Sequence, residues 1–367
     1  MPTASGNNVF MYVGSYTHKE AAGISVYRCN PAEGAFELVQ QVTGLRNASF
    51  LTIDSKRQML YAVSEVQETD GEPGGAVACY AIDRASGKLS ERGERQFTRG
   101  SDPCYVSLSQ AGAEPSLLAA NYSGGSIARF PLTGPGGSIR PAAQVIRHEG
   151  ASKATDRQLE PHPHSIVPDW NERYAIVPDL GRDKLVVYRI GSGSELEPHG
   201  EADTEKGAGP RHLAFLPALN RIYAINELNC TIAVYDYDTS EGSLTALQSI
   251  SMLPDDFDGS NTSADLHLSP DGRFLYGSNR GHDSIAVYSV NEADGLLALV
   301  EHVHTRGRTP RNFAVTPGGQ YLLAANQESD DITVFRRREE DGKLEWTGHR
   351  IAVSEPVCIA MMTAAGA

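Results

Sequence analysis

A two-strand unit recurs along this chain, and that recurrence restricts the fold more than any single motif. Its clearest copies are Arg211–Asn226 (RHLAFLPALNRIYAIN), Ser263–Asn279 (SADLHLSPDGRFLYGSN) and Arg311–Asn326 (RNFAVTPGGQYLLAAN). Weaker copies run from Phe50 to Ser64, Tyr105 to Asn121 and His164 to Asp179. Each is followed by a third apolar run ending at Tyr or Phe (AVACY, SIARF, KLVVY, TIAVY, SIAVY, DITVF), then a glycine turn and a fourth run. β-Branched and aromatic runs between turn residues read as strands, and no stretch sustains a 3.6-residue period. Aligning the first strands gives a column of Phe50, Tyr105, His164, His212, Asp265, Asn312 and Cys358, spaced 46 to 59 residues apart. That is the spacing of propeller repeats. The chain opens on a second strand (Phe10 to Val13), and its missing first strand is available at the other end in PVCIAMM, Pro356 to Met362. The expectation is an all-β, seven-bladed β-propeller of four-stranded antiparallel blades. One domain spans residues 1–367, closed by the C-terminal strand completing the N-terminal blade.

Strand parity selects the working face. In an antiparallel meander, the connections between strands two and three share a face with those leading to the next blade. Here they are long and irregular: Gln67–Gly75, Glu149–His162 and Leu253–Thr262. Irregular loops on a rigid scaffold are where sites are built. His164, Arg211, His212, Asp265 and Arg311 begin first strands at that face. Asn121, Asp179, Glu227, Asn279, Arg280 and Gln327 end second strands there. All eleven are candidates for one mouth.

Plainer readings stand beside this one. His164, His212 and the Asp265/His267 pair could hold blades together. Asp271 in SPDG reads as a turn former, and Arg336-Arg337-Arg338 as a solvated edge. The charged group resists such a reading, because burying Arg211, Glu227, Arg280 and Arg311 together is costly without partners.

Charge then narrows the partners. The net charge of −14 argues against nucleic acid and against a basic membrane patch, so an anionic substrate must be drawn by local arginines. No apolar run approaches the length of a membrane span, and Met1–Asn8 has no secretory-signal pattern. The five cysteines show no metal spacing and read as free thiols in a cytoplasmic protein, where Asn-x-Ser/Thr triplets carry no meaning. No nucleophile elbow, phosphate loop or dinucleotide fingerprint occurs. What remains is a proton-transfer group, His164 or Glu227, among fixed cations. That set suits ester or lactone chemistry: a base activates water and arginine stabilises the oxyanion.

The motifs HPHS (His162–Ser165), GAGPRH (Gly207–His212), INELN (Ile225–Asn229), AANYSGGS (Ala119–Ser126), SPDGRFLYGSNRGHDSIAVY (Ser269–Tyr288), TPRNF (Thr309–Phe313) and AANQ (Ala324–Gln327) resemble the propeller lactonase family. That family includes bacterial 6-phosphogluconolactonases and, more distantly, fungal 3-carboxy-cis,cis-muconate lactonizing enzymes. The resemblance covers essentially the whole chain. It departs most before Asn121, so sites there stay open. It places the fungal branch's His, two Arg and Glu on His164, Arg211, Arg280 and Glu227. It implies hydrolysis of 6-phospho-D-glucono-1,5-lactone with no metal or organic cofactor. In that reading Arg311 helps hold the phosphate, and His212, Asn121, Asp179, Asn279, Gln327 and Asp265 line the substrate site. The alternatives are a lactonizing cyclase, another sugar-lactone hydrolase, or a non-catalytic propeller that binds a sugar acid or a protein. The expected partner is a small anionic sugar lactone, and the expected state a monomer or weak homodimer.

Overall fold

The structure, a computed structural model, describes residues 9–363 apart from 20, 113 and 135. The sequence expectation for Met1–Asn8 therefore lies outside the described residues. Seven sheets are arranged as blades, each an antiparallel meander. Blade 1 comprises Val9–Ser15, Ile24–Asn30 and Ala35–Val42, with Pro356–Thr363 as its innermost strand. Blades 2 to 7 begin with Leu51–Asp54, Pro103–Ser109, Val167–Pro168, Pro210–Leu216, Thr262–Leu268 and Pro310–Val315. The expected closure is present: Val9 faces Thr363 and Gly14 faces Cys358 across one antiparallel ladder. Joining the termini in a sheet leaves the ring without a gap.

The blades are held face to face by apolar clusters. One joins Tyr223, Ile225 and Val234 of blade 5 to Leu266, Leu275 and Tyr288 of blade 6. Because both faces of a blade are covered, the second strands are buried along nearly their whole length, and at every position in Tyr174–Asp179 and Ser116–Asn121. This is why they read as continuous apolar runs instead of alternating ones.

A second repeated contact fixes the distance between blades. Tyr12, Tyr61, Tyr223 and Tyr276 each donate a hydroxyl hydrogen bond to the glycine carbonyl of the next blade's outer turn. The acceptors are Gly87, Gly137, Gly295 and Gly342, at 2.8–3.1 Å. These glycines have φ between +58° and +74°, which L side chains rarely adopt. Farther out, Gln40, Gln144 and Gln248 clamp both backbone groups of Leu89, Leu196 and Leu297 in the following blade.

The arginine run differs from its sequence reading. Arg337 is buried, donates through Nε to the Gly319 carbonyl, and lies 3.4 Å from Asp271. Strand alternation turns it into the seam between blades 6 and 7 and leaves Arg336 and Arg338 on other faces. Asp271 both shapes its turn, accepting from Arg273 N at 3.2 Å, and anchors Arg337.

Candidate active site

Two backbone features build the mouth. The first is a recurring bulge at the start of the inner strands. Pro210 pairs with Asn226 but His212 with Ile225; Pro310 pairs with Asn326 but Asn312 with Ala325. Arg211 and Arg311 are the extra residues. Without a bulge, neighbouring strand residues point to opposite faces. With it, Arg211 reaches Glu227 while His212, the next residue, reaches Asp265.

The second feature is the step after each second strand. Asn121, Asp179, Asn226, Asn279 and Asn326 occupy equivalent positions, opposite Ser126, Lys184, Thr231, Ser284 and Asp331. The residues that follow are Tyr122, Leu180, Glu227, Arg280 and Gln327, and Glu65 follows Ser64 in blade 2 in the same way. Of the two sets, the second carries the mouth residues Tyr122, Glu227, Arg280 and Glu65.

Glu227 is the centre of the cluster. Its Oε2 lies 3.0 Å from Arg211 Nε and 3.1 Å from Arg280 Nη2; its Oε1 lies 3.0 Å from Arg157 Nη2. His164 Nε2 stands 3.8 Å from the same Oε2. The other ring nitrogen of His164 is 3.5 Å from Cys104 Sγ, and the thiol donates to the His164 carbonyl at 3.4 Å. Arg280 also donates to the Ser263 carbonyl at 2.9 Å, and Arg211 to that of Ala264. The Tyr122 ring packs edge-on to His164 and flat on His162, and its hydroxyl accepts from Arg157 at 2.6 Å. Across the mouth, the Arg311 guanidinium lies 5.4 Å from the Tyr16 ring centre, and Tyr16 Oη donates to Glu65 Oε1 at 3.0 Å.

Below this level the expected inner column closes the channel. Phe50 stacks on Tyr105, and His212 packs edge-on to both and to His164. His212 Nδ1 is 2.8 Å from Asp265 Oδ1, and His267 Nε2 is 2.9 Å from Asp265 Oδ2. Asn312 donates to Asp265 and accepts from Ile359 N at 2.7 Å.

The electrostatics follow from burial and cation crowding. Burial alone would raise the pKa of Glu227, but Arg280, Arg211, Arg157 and Arg311 together bring it down to about 2. Arg211 drops to about 10, through burial and then Arg311 and Arg280, which outweigh Glu227. The cluster therefore keeps an excess of positive charge. Burial, reinforced by Arg211, His212 and Arg311, holds the His164 pKa well below its usual value, so its imidazole is neutral. Burial and Arg211 lower His212 to about 4.

Of the residues expected at the mouth, His164, Arg211 and Arg280 meet at Glu227, and Arg311 lies near enough to act on its charge. Gln327 shares their register and is half-buried, its backbone N–H bonded to the Thr309 carbonyl at 2.9 Å. His212 and Asp265 form the floor beneath them. Asn121, Asp179 and Asn279 do not join the cluster. Asn121 donates to Ser126 Oγ and Asn279 to the Met252 carbonyl; Asp179 accepts from His148 and from the His162 amide. The reason is one residue of register, which turns each away from the face that its successor serves.

Sequence reading missed Arg157, Tyr122, Cys104, Tyr16 and Glu65. Arg157 is the sole arginine in the long Glu149–His162 loop. The short turn carrying it, Asp156–Gln158, is tied to the propeller by Gln158, which donates to Leu180 O at 2.8 Å and Asp183 Oδ1 at 2.6 Å. Tyr122 and Glu65 could have been found by extending the alignment one residue past each second strand. Among the described residues, no group of three or more His, Cys, Asp or Glu is placed to hold a metal ion.

The chain is similar to named lactonases in sequence and fold. Bacillus subtilis 6-phosphogluconolactonase is 35% identical over 304 residues, covering 82% of this chain and 83% of that protein. The Formosa agariphila 6-phosphogluconolactonase is 33% identical over 313 residues, covering 83% and 86%. The Pseudomonas aeruginosa periplasmic gluconolactonase superposes with a TM-score of 0.91 at 34% identity, over 97% of this chain and all of that one. Residues 10–361 match the family described as lactonase, 7-bladed beta-propeller, and the chain belongs to that family.

Proposed function

We propose that the mouth hydrolyses 6-phospho-D-glucono-1,5-lactone to 6-phosphogluconate. The supporting observation is His164 Nε2 standing 3.8 Å from Glu227, a carboxylate already bound by Arg157, Arg211 and Arg280. A carboxylate paired with three guanidinium groups is a weak base, so the proton-transfer role falls to His164 and the anchoring role to Glu227. His164 takes a proton from water as the water oxygen attacks C1. Arg211 and Arg280 stabilise the oxyanion that forms. The C1–O5 bond then breaks and O5 takes the proton back from His164, leaving an acid and a free hydroxyl. Arg311, which has no ion pair among the described residues, is assigned to the phosphate. The names of the Bacillus and Formosa relatives support the phosphorylated substrate, whereas the Pseudomonas neighbour is named for the unphosphorylated lactone. We also place the protein in the cytoplasm, as a monomer or weak dimer; its five cysteines are free and buried.

The test is the hydrolysis rate on the two lactones, corrected for spontaneous opening. Preference for the phosphorylated one that Arg311→Ala removes is the expected result. Equal rates on both, or a preference that survives the substitution, would overturn the phosphate assignment. No rate above background on either would overturn the hydrolase reading.

A further inference from the structure

The mouth is built almost wholly of donors. Arg157, Arg211, Arg280 and Arg311 offer N–H groups, and these suit a carbonyl oxygen, an oxyanion or a phosphate. A sugar lactone also carries hydroxyl groups, which leave water and must donate to something. Glu227 is already engaged at both oxygens, Oε1 by Arg157 and Oε2 by Arg211 and Arg280, which leaves it the less available acceptor. A second carboxylate at the mouth is Glu65. Its Oε1 accepts from Tyr16 at 3.0 Å, and its Oε2 is buried without a hydrogen-bond partner among the described residues. A buried carboxylate oxygen left unpaired carries a desolvation penalty that a bound donor relieves.

The surroundings fix Glu65 in this pose. Its backbone N–H donates to Asn47 O at 3.0 Å, and its carbonyl accepts from Asn47 Nδ2 at 3.0 Å. Asn47 Oδ1 in turn accepts from Thr17 N at 3.0 Å, beside Tyr16. Asn47 has φ +48°, so the short segment before blade 2 is bent to make both contacts. Glu65 also stands one residue past Ser64, as Glu227 follows Asn226 in blade 5 and Arg280 follows Asn279 in blade 6. Arg311 joins the two halves of the mouth: it lies over Tyr16, and its pKa, which burial would lower, is raised by Tyr16, Glu65 and Glu227. Glu65 forms no ion pair with it within 4.0 Å, so the carboxylate oxygen is not claimed by Arg311.

We infer that Glu65, positioned by Tyr16 and Asn47, accepts a hydrogen bond from a ring hydroxyl of the substrate and makes the site selective for polyhydroxylated lactones. This rests on the lactone-hydrolase reading and specifies what that site recognises. A site built to pair a substrate hydroxyl discriminates strongly against an analogue that lacks it, because its buried polar group is then unpaired.

The experiment measures kcat/KM for glucono-1,5-lactone, with and without the 6-phosphate, and for δ-valerolactone, which has no hydroxyl groups. Wild type, Glu65→Ala, Glu65→Gln and Tyr16→Phe are compared. Loss of a hydrogen bond to a charged acceptor corresponds to about ten- to hundredfold in rate. The ratio of hydroxylated to plain lactone is expected to fall by that factor in Glu65→Ala. Glu65→Gln, which keeps an acceptor oxygen, should recover part of the ratio, and Tyr16→Phe should lower it less than Glu65→Ala. A structural defect alone would depress both rates together; an unchanged ratio in Glu65→Ala and Tyr16→Phe overturns the assignment of Glu65 alone. If wild type opens none of these lactones above background, the hydrolase reading falls and this inference falls with it.

Discussion

Glu227→Gln replaces the carboxylate at the centre of the mouth with the nearest neutral shape. Glutamine mimics the protonated acid, so the difference between variant and wild type follows the proton linkage of this one group. The folded-state pKa is about 2 against an ordinary 4.5. Stabilisation from a depressed carboxylate is fully present above the unfolded value and is lost as pH falls through the folded one. At about 1.4 kcal/mol per pKa unit this is about 3 kcal/mol at pH 7 and about 2 kcal/mol at pH 3.5. An independent figure agrees: removing one partner of a buried pair costs about 3–5 kcal/mol, because the remaining charge stays buried. Here Arg211 and Arg280 would face Arg311 with no carboxylate between them. Unfolding entropy of about 2 cal/mol/K per residue makes the loss about 4 °C in Tm at pH 7 for a chain of 367 residues. Thermal unfolding followed by circular dichroism from pH 7 to pH 3.5 should show that gap and its narrowing toward acid. A variant as stable as wild type at neutral pH, or a gap that stays constant, would refute the account of Glu227 as the anchor of the arginines.

Two further outcomes follow from the same geometry. A base whose pKa is held well below 6.5 stays unprotonated at mildly acidic pH, so the acidic limb of kcat/KM should lie below 6.5, and His164→Ala should cost about 10²–10⁴-fold. A limb centred above 6.5, or full turnover in that variant, would remove His164 as the base. Gly181 packs so closely on the Arg157 loop that an added Cβ would sit 1.8 Å from the Glu160 carbonyl oxygen. Gly181→Ala should displace the loop, cost about 1–3 kcal/mol of stability and lower kcat/KM more than tenfold; unaltered kinetics would show that the Arg157–Glu227 pair is dispensable.

The propeller was legible because its information is local and repeated. The inner strands of each blade bury both faces, the outer turns carry a glycine, and the same order recurs until the termini meet. His164, Arg211, Glu227 and Arg280 were legible as well, since strand parity brings both ends of an inner hairpin to one face. Parity did not resolve neighbours. Asn279 and Arg280 read alike in the sequence, yet Asn279 binds the Met252 carbonyl while Arg280 reaches Glu227. Nor did it show that Arg211 and His212 serve different layers of the same channel, because that depends on a bulge whose two sides lie in separate strands.

The order of the blades, the closure of the ring and the face that gathers the charged cluster are consequences of the sequence alone, since they need only periodicity and chain direction. The partners of Glu227 are consequences of the tertiary structure. Arg157 comes from a loop, Arg280 from the next blade and His164 from the blade before. Tyr16 and Glu65 meet only because closing the ring sets blades 1 and 2 side by side. The physical reason is range: strand and turn preferences act over a few residues, whereas a charge in a low-dielectric mouth answers to every group within several ångströms, wherever in the chain it originates.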